Sequence, residues 1–136
     1  MGCRREHSWD LGVGRPGLEV RLDAAQDAWF QRMRAGLDGS TRTTVGWPSL
    51  LRQVGFGHVS SQTFLVDQPA PLNDAGRLAV ADRLSWAAER LAPTGLLDDD
   101  DVTTIDALLD ADGSHYVGHR DDTYVLSAQT VHVARR

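Results

Sequence analysis

Three glycines in the run DLGVGRPG, Gly12, Gly14 and Gly17, have the G-x-G-x-x-G spacing with which a tight turn presents a phosphate or cofactor to a helix N-terminus. That chemistry needs an apolar strand to deliver the loop and a second strand ending in an acidic residue. Upstream stands only RREHSW, and after the following helix the stretch to Thr44 is polar. The glycine pattern is therefore read as a coincidence of spacing, and no cofactor-binding residue is assigned. DADG, with Asp110, Asp112 and Gly113, has the middle of a calcium loop, but the outer ligand positions would be Leu108 and His119. Calcium requires oxygen donors at both ends, so Gly113 is read as a helix stop. His115 and His119, four apart with Asp121 and Asp122 nearby, lack an identifiable third zinc ligand and read as a solvated loop pair. His58 and His132 fall in strands and read as sheet residues. No Ser–His–acid or Cys–His set emerges from spacing, and no catalytic or metal residue is assigned. The candidates for a substrate pocket are Arg15, Trp29 and Phe30, the two aromatics pointing to different faces of one helix.

The framework that must position these groups is one domain's worth of chain, 136 residues with 41% hydrophobic content. Net charge is -5, and every basic residue is Arg with no Lys. Such a balance argues against a duplex-DNA partner, which demands a basic stripe. Cys3 alone forms no intramolecular disulfide, which makes a reducing, cytoplasmic setting the expectation. The charged first residues have neither a secretory nor a membrane-spanning pattern. Met1-Gly2-Cys3 also misses the acylation pattern, because Glu6 stands where Ser or Thr is needed.

Residues 1–10 show no periodicity and are expected to form a frayed or disordered lead-in. Leu18, Leu22, Ala25, Trp29 and Met33 recur at the spacing of one helical face, with Pro16 suited to the first turn and Gly36 to the end. GWPSLLRQVGF predicts a short helix with Pro48 at its first position, Leu50, Leu51 and Val54 buried, and Gly55 left-handed at its end. His58–Val66 predicts a half-polar edge strand closed by Pro69 and Pro71. A long helix capped by Asn73 or Asp74 should bury Leu78, Ala81, Leu84, Ala88 and Leu91. Asp98–Asp101 read as the acidic cap of a helix carrying Val102, Ile105, Leu108 and Leu109. Thr123–Val133 is apolar on both faces, which implies a strand covered on both sides. The class is α/β, in the order helix, helix, strand, two helices, strand. Residues 58–66 and 123–133 should pair antiparallel. The far edge of the second strand would then template self-association through residues 123–133, unless the N-terminal residues fold back over it.

LGVGRPGLEVRLDAAQDAWFQRMRAGL, GWPSLLRQVGF, RLSWAAERL, TTIDALLD and DDTYVLSAQTVHVARR together resemble, in that order, the C-terminal part of bacterial class I S-adenosylmethionine-dependent methyltransferases. The resemblance covers residues 11–136. It implies a partial Rossmann-like methyltransferase sheet, whose terminal antiparallel strand pair carries a helical insert. GWPSLLRQVGF and GHVSSQTFLVD look like that fold's last surface helix and its sixth, edge strand. DDTYVLSAQTVHVARR looks like its seventh, antiparallel strand, inserted beside the fifth. The insert from Asn73 to Asp110 would roof the carboxyl edge of the sheet, so choice of a small-molecule methyl acceptor would reside in this chain. The family's first five strands and its acidic glycine-rich loop have no counterpart here, which implies a truncated gene or a late start. S-adenosylmethionine is expected in the complete enzyme and not on the isolated chain, which should be inactive by itself. The alternative is a non-catalytic α/β module that binds a protein partner.

Overall fold

The computed structural model describes residues 7–10, 14–41 and 44–136, the first group as backbone only. In chain order the elements are β1 (His7–Asp10), α1 (Leu18–Ala35), α2 (Trp47–Gln53), β2 (His58–Gln68), α3 (Asp74–Arg90), α4 (Asp99–Leu109) and β3 (Val125–Arg135). Single 3-10 turns lie at Ala92–Thr94 and Val117–His119. The sheet order is β1-β3-β2, with β3 antiparallel to both neighbours. β2 and β3 pair without a bulge, from His58 opposite Arg135 to Gln68 opposite Val125. β1 runs along the other side of β3, from His7 opposite Gln129 to Asp10 opposite Leu126.

The long antiparallel pair is the one expected, with β2 running two residues further, to Gln68, and β3 displaced two residues along the chain, from Val125 to Arg135. The third strand is a correction. Residues 7–10 form β1 instead of a frayed lead-in, while residues 1–6 lie outside the described residues. A four-residue strand held by backbone hydrogen bonds to an existing partner needs no apolar alternation, so HSWD carries no local signal.

Local chemistry sets the helix ends. α1 begins after Gly17, whose φ of 73° is left-handed, so Pro16 stands before the cap instead of inside the first turn. Asn73 accepts a 2.9 Å hydrogen bond from the Gly76 amide at the start of α3, and Asp98 accepts one of 2.7 Å from the Asp101 amide at the start of α4. α2 has Pro48 as its second residue, not its first. It closes on Gly55 at φ 95°, with the Phe56 amide donating to Leu51 and the Gly55 amide to Arg52.

The core is mainly a helical layer. Leu18, Leu22 and Ala25 of α1 meet Val80, Leu84, Ala87 and Leu91 from α3 and its end, Ile105 and Leu108 of α4, and Val125 of β3. α3 buries Gly76, Val80, Leu84 and Ala87, so of the expected stripe only Leu84 and Leu91 are buried and Leu78 is exposed. This helix is alanine-rich and offers two apolar faces. Packing against α1 and α4 selects one of them. α2 buries Leu51, whereas Val54 is exposed. β3 is covered on each face over only part of its length. Val125 and Ser127 are buried on one face and His132 and Ala134 on the other, while Leu126 is exposed. Among the described residues, no helix is long and apolar enough to cross a membrane.

Candidate functional site

The sequence candidates divide into two places. Trp29 and Phe30 adjoin in α1, their ring centroids 5.0 Å apart at 74°, and Trp29 also meets Trp86 of α3 edge-on at 5.6 Å and 86°. These three rings form an aromatic bridge between α1 and α3, and all three are half-buried. One turn earlier in α1, Asp23 and Gln26 receive the Arg83 guanidinium from α3, with Nη2 donating to Asp23 at 2.7 Å and Nη1 donating to Gln26. Burial lowers the Arg83 pKa, and Asp23 opposes that shift. The Arg83 side chain is only 11% exposed, so the acidic and amide partners are what make its placement tolerable.

Arg15 lies elsewhere. The α1 rise of about 1.5 Å per residue separates its neighbourhood from Trp29 by roughly 16 Å along the axis. Its guanidinium Nη1 donates to Asp98 at 3.0 Å and to Asp101 at 3.2 Å, and Nη2 approaches Asp100 at 3.5 Å. Arg21, one α1 turn beyond Gly17, donates through Nε to one Asp101 oxygen at 2.6 Å and through Nη2 to the other at 2.8 Å. This fork-on-carboxylate geometry matches two donors to two acceptors. The Asp101 side chain is 1% exposed. Its hydrogen bonds from Arg21 hold the carboxyl below the ordinary carboxylate range despite the opposing effect of burial, with the charges of Arg21 and Arg15 adding to the shift. The same hydrogen bond raises the Arg21 pKa.

The glycine-rich loop has a structural explanation at the positions described. Gly14, at φ 75°, lies so close to α4 that an added Cβ would meet Leu18 at 3.0 Å, Thr104 at 3.1 Å and Leu108 at 3.2 Å. Gly17 serves as the helix cap. Close approach is therefore made to α4 side chains, and Gly12 lies outside the described residues. The strand before this loop, β1, pairs antiparallel, whereas a cofactor loop of this pattern requires a strand in a parallel sheet.

The histidines also take structural places. His132 is buried, with its Nδ1 2.7 Å from the Ser61 hydroxyl directly across the β2–β3 pair. His119 stacks edge-on against Tyr116 at 4.9 Å, and His115 is exposed in the preceding turn. Among the described residues no group of three acidic, His or Cys side chains could hold a metal. Asp110 and Gly113 close the turn after α4, where the Gly113 amide donates to the Asp110 carbonyl at 2.9 Å.

Sequence reading missed Arg21, Asp101, Arg83 and Trp86 as partners. The acidic run at 98–101 was legible as a helix cap, but its second role depends on cations about 80 positions away, and no local spacing encodes that. No family model, curated protein or solved structure matches this chain significantly.

Proposed function

We propose that this chain is the C-terminal, substrate-side portion of a class I S-adenosylmethionine-dependent methyltransferase. The observation that carries the reading is the position of β3, antiparallel to both neighbours and lying between β1 and the edge strand β2. In the family that the sequence resembles, the seventh strand is antiparallel beside the fifth, and the sixth lies at the edge. β1 then stands where the fifth strand belongs, a counterpart that the sequence did not reveal. α1 and α2 take the place of the helices leading to the sixth strand, and the connection from β2 to β3, residues 69–124, contains the helical insert.

In this reading the cofactor is bound by the preceding half of the complete enzyme, and this chain positions a small-molecule acceptor. Methyl transfer then depends on holding the nucleophile in line with the reacting carbon, so orientation carries much of the rate. The aromatic bridge Trp29–Phe30–Trp86 and the Arg83–Asp23 pair join α1 to the insert. They contribute by fixing the insert's position relative to the sheet.

Two measurements test the proposal. The isolated chain, titrated with S-adenosylmethionine in a calorimeter, should give no saturable heat at sub-millimolar cofactor. A micromolar isotherm would overturn the assignment of cofactor binding to the other half. Protein expressed from the complete reading frame should bind S-adenosylmethionine and transfer its labelled methyl group to a component of a small-molecule extract. Failure to bind the cofactor would sink the methyltransferase reading and favour the non-catalytic module, for which the exposed edge of β2 is the specific observation.

A further inference from the structure

β1 lies along β3 from Leu126 to Gln129, so self-association through residues 123–133 loses its template there. The outer edge of β2 is different. Among the described residues β2 pairs, along all eleven of its residues, only with β3, and every one of the eleven except Val59 is exposed. Natural sheets guard such an edge with a bulge, a proline or inward charge. The β2–β3 register is continuous, residues 58–68 contain no Pro, Lys or Arg, and Asp67 is the only carboxylate. Three consecutive apolar side chains also stand in solvent at the end of this strand, Phe64 at 47%, Leu65 at 73% and Val66 at 36% exposed.

We propose that β2 is a homodimer interface, in which two copies pair edge to edge, antiparallel, about a two-fold axis at Leu65. A two-fold axis perpendicular to the sheet keeps each face continuous, so residue pairs must be centred on one residue. Centring on Leu65 sets Leu65 against its own copy and Phe64 opposite Val66 of the second chain, twice. All three exposed apolar side chains thereby gain apolar cross-strand neighbours. Each Asp67 falls opposite Thr63, and the two carboxylates sit about 14 Å apart along the strands at 3.4 Å per residue. No like charges are opposed. Pro69, which has no amide proton to donate, limits the pairing beyond Gln68. A second copy is favoured over an unrelated peptide because the two-fold closes the assembly and satisfies both edges at once.

Sedimentation of the chain from micromolar to millimolar concentration should show a reversible monomer–dimer equilibrium with no larger species. Leu65→Lys places two cations at the axis without touching the β3 side of the ladder, and it should weaken dimerisation by at least about tenfold with unchanged circular dichroism. Leu78→Lys, which removes another exposed apolar group, from α3, should leave the equilibrium intact. A geometric test uses Cys3→Ser as background. Leu65→Cys should cross-link two copies under mild oxidation, because opposed Cα atoms lie within disulfide range, whereas Thr63→Cys should not. A wild-type monomer at roughly 1 mM, open-ended oligomers, a Leu65→Lys dimer of undiminished affinity, or equal cross-linking at 63 and 65 would each overturn the proposal.

Discussion

Asp101 shows how much one side chain can do in this fold. It is a first-turn residue of α4 whose carboxylate is buried and bound bidentately by Arg21, with Arg15 adding a third donor. Through it the segment following β1 is fastened to the helical insert. Asp101→Ala should destabilise the chain by about 1.5–3 kcal/mol, the range for hydrogen bonds to charged groups. Arg15→Ala should cost well under about 1 kcal/mol, because its side chain is 39% exposed and its ion pairs are screened by solvent. Chemical denaturation of both variants checks the order. The pH dependence has a definite sign. The folded-state pKa of Asp101 is lowered, so its contribution is complete above the ordinary carboxylate range and is lost as pH falls through the lowered value. Asp101→Asn should therefore flatten the acid limb of the stability–pH curve while leaving the slope near neutrality unchanged. An acid limb identical to wild type would show that the ion pair does not couple to folding. At the aromatic bridge, Trp29 touches both Phe30 and Trp86. Trp29→Ala should cost about 2–3 kcal/mol, somewhat below the loss for a fully buried Trp, and Phe30→Ala should cost less. Equal losses in urea denaturation would show that the two rings are equivalent core residues.

At the scale of elements, caps and glycines explain where helices start and stop, and packing explains which face they bury. Asn73→Ala should reduce stability by about 1 kcal/mol, the usual value of an N-cap. Asp98→Ala should cost more than that, since Asp98 both caps α4 and binds Arg15 at 3.0 Å. Thermal melts of the two variants compare them directly, and equal shifts would show that the Asp98–Arg15 contact adds nothing. The start of β2, the glycine end of α2, and the caps at Asn73 and Asp98 were all legible locally, because each is decided by side chains within a few residues. The buried face of α3 was not legible. Leu78 and Val80 are both apolar, and only the approach of α1 and α4 decides that Val80 turns inward while Leu78 stays in solvent.

The whole molecule depends on a core that mixes residues from before and after the long β2–β3 connection. Leu18, Leu22 and Ala25 of α1 are buried with Leu84, Leu91, Ile105 and Leu108 of the insert. Replacing residues 69–124 by a two-residue hairpin turn should therefore abolish cooperative unfolding, even though the β2–β3 register itself stays feasible. A variant that keeps a sharp thermal transition by circular dichroism would show the sheet and α1 to be self-sufficient. The amino-acid sequence by itself determined the α/β class, the order of the long elements, their antiparallel strand pair and most of their ends, because these follow from periodicity, caps and turn residues within one element. Only the tertiary structure decided that HSWD is a strand, that Gly14 serves close packing on α4, and that the acidic run at 98–101 receives Arg15 and Arg21. Each of these depends on a partner eighty or more positions away. β1 exists because β3 offers free backbone groups, and Asp101 is tolerable in the interior because two guanidinium groups reach it. Neither condition leaves a mark on the neighbouring residues from which a sequence is read.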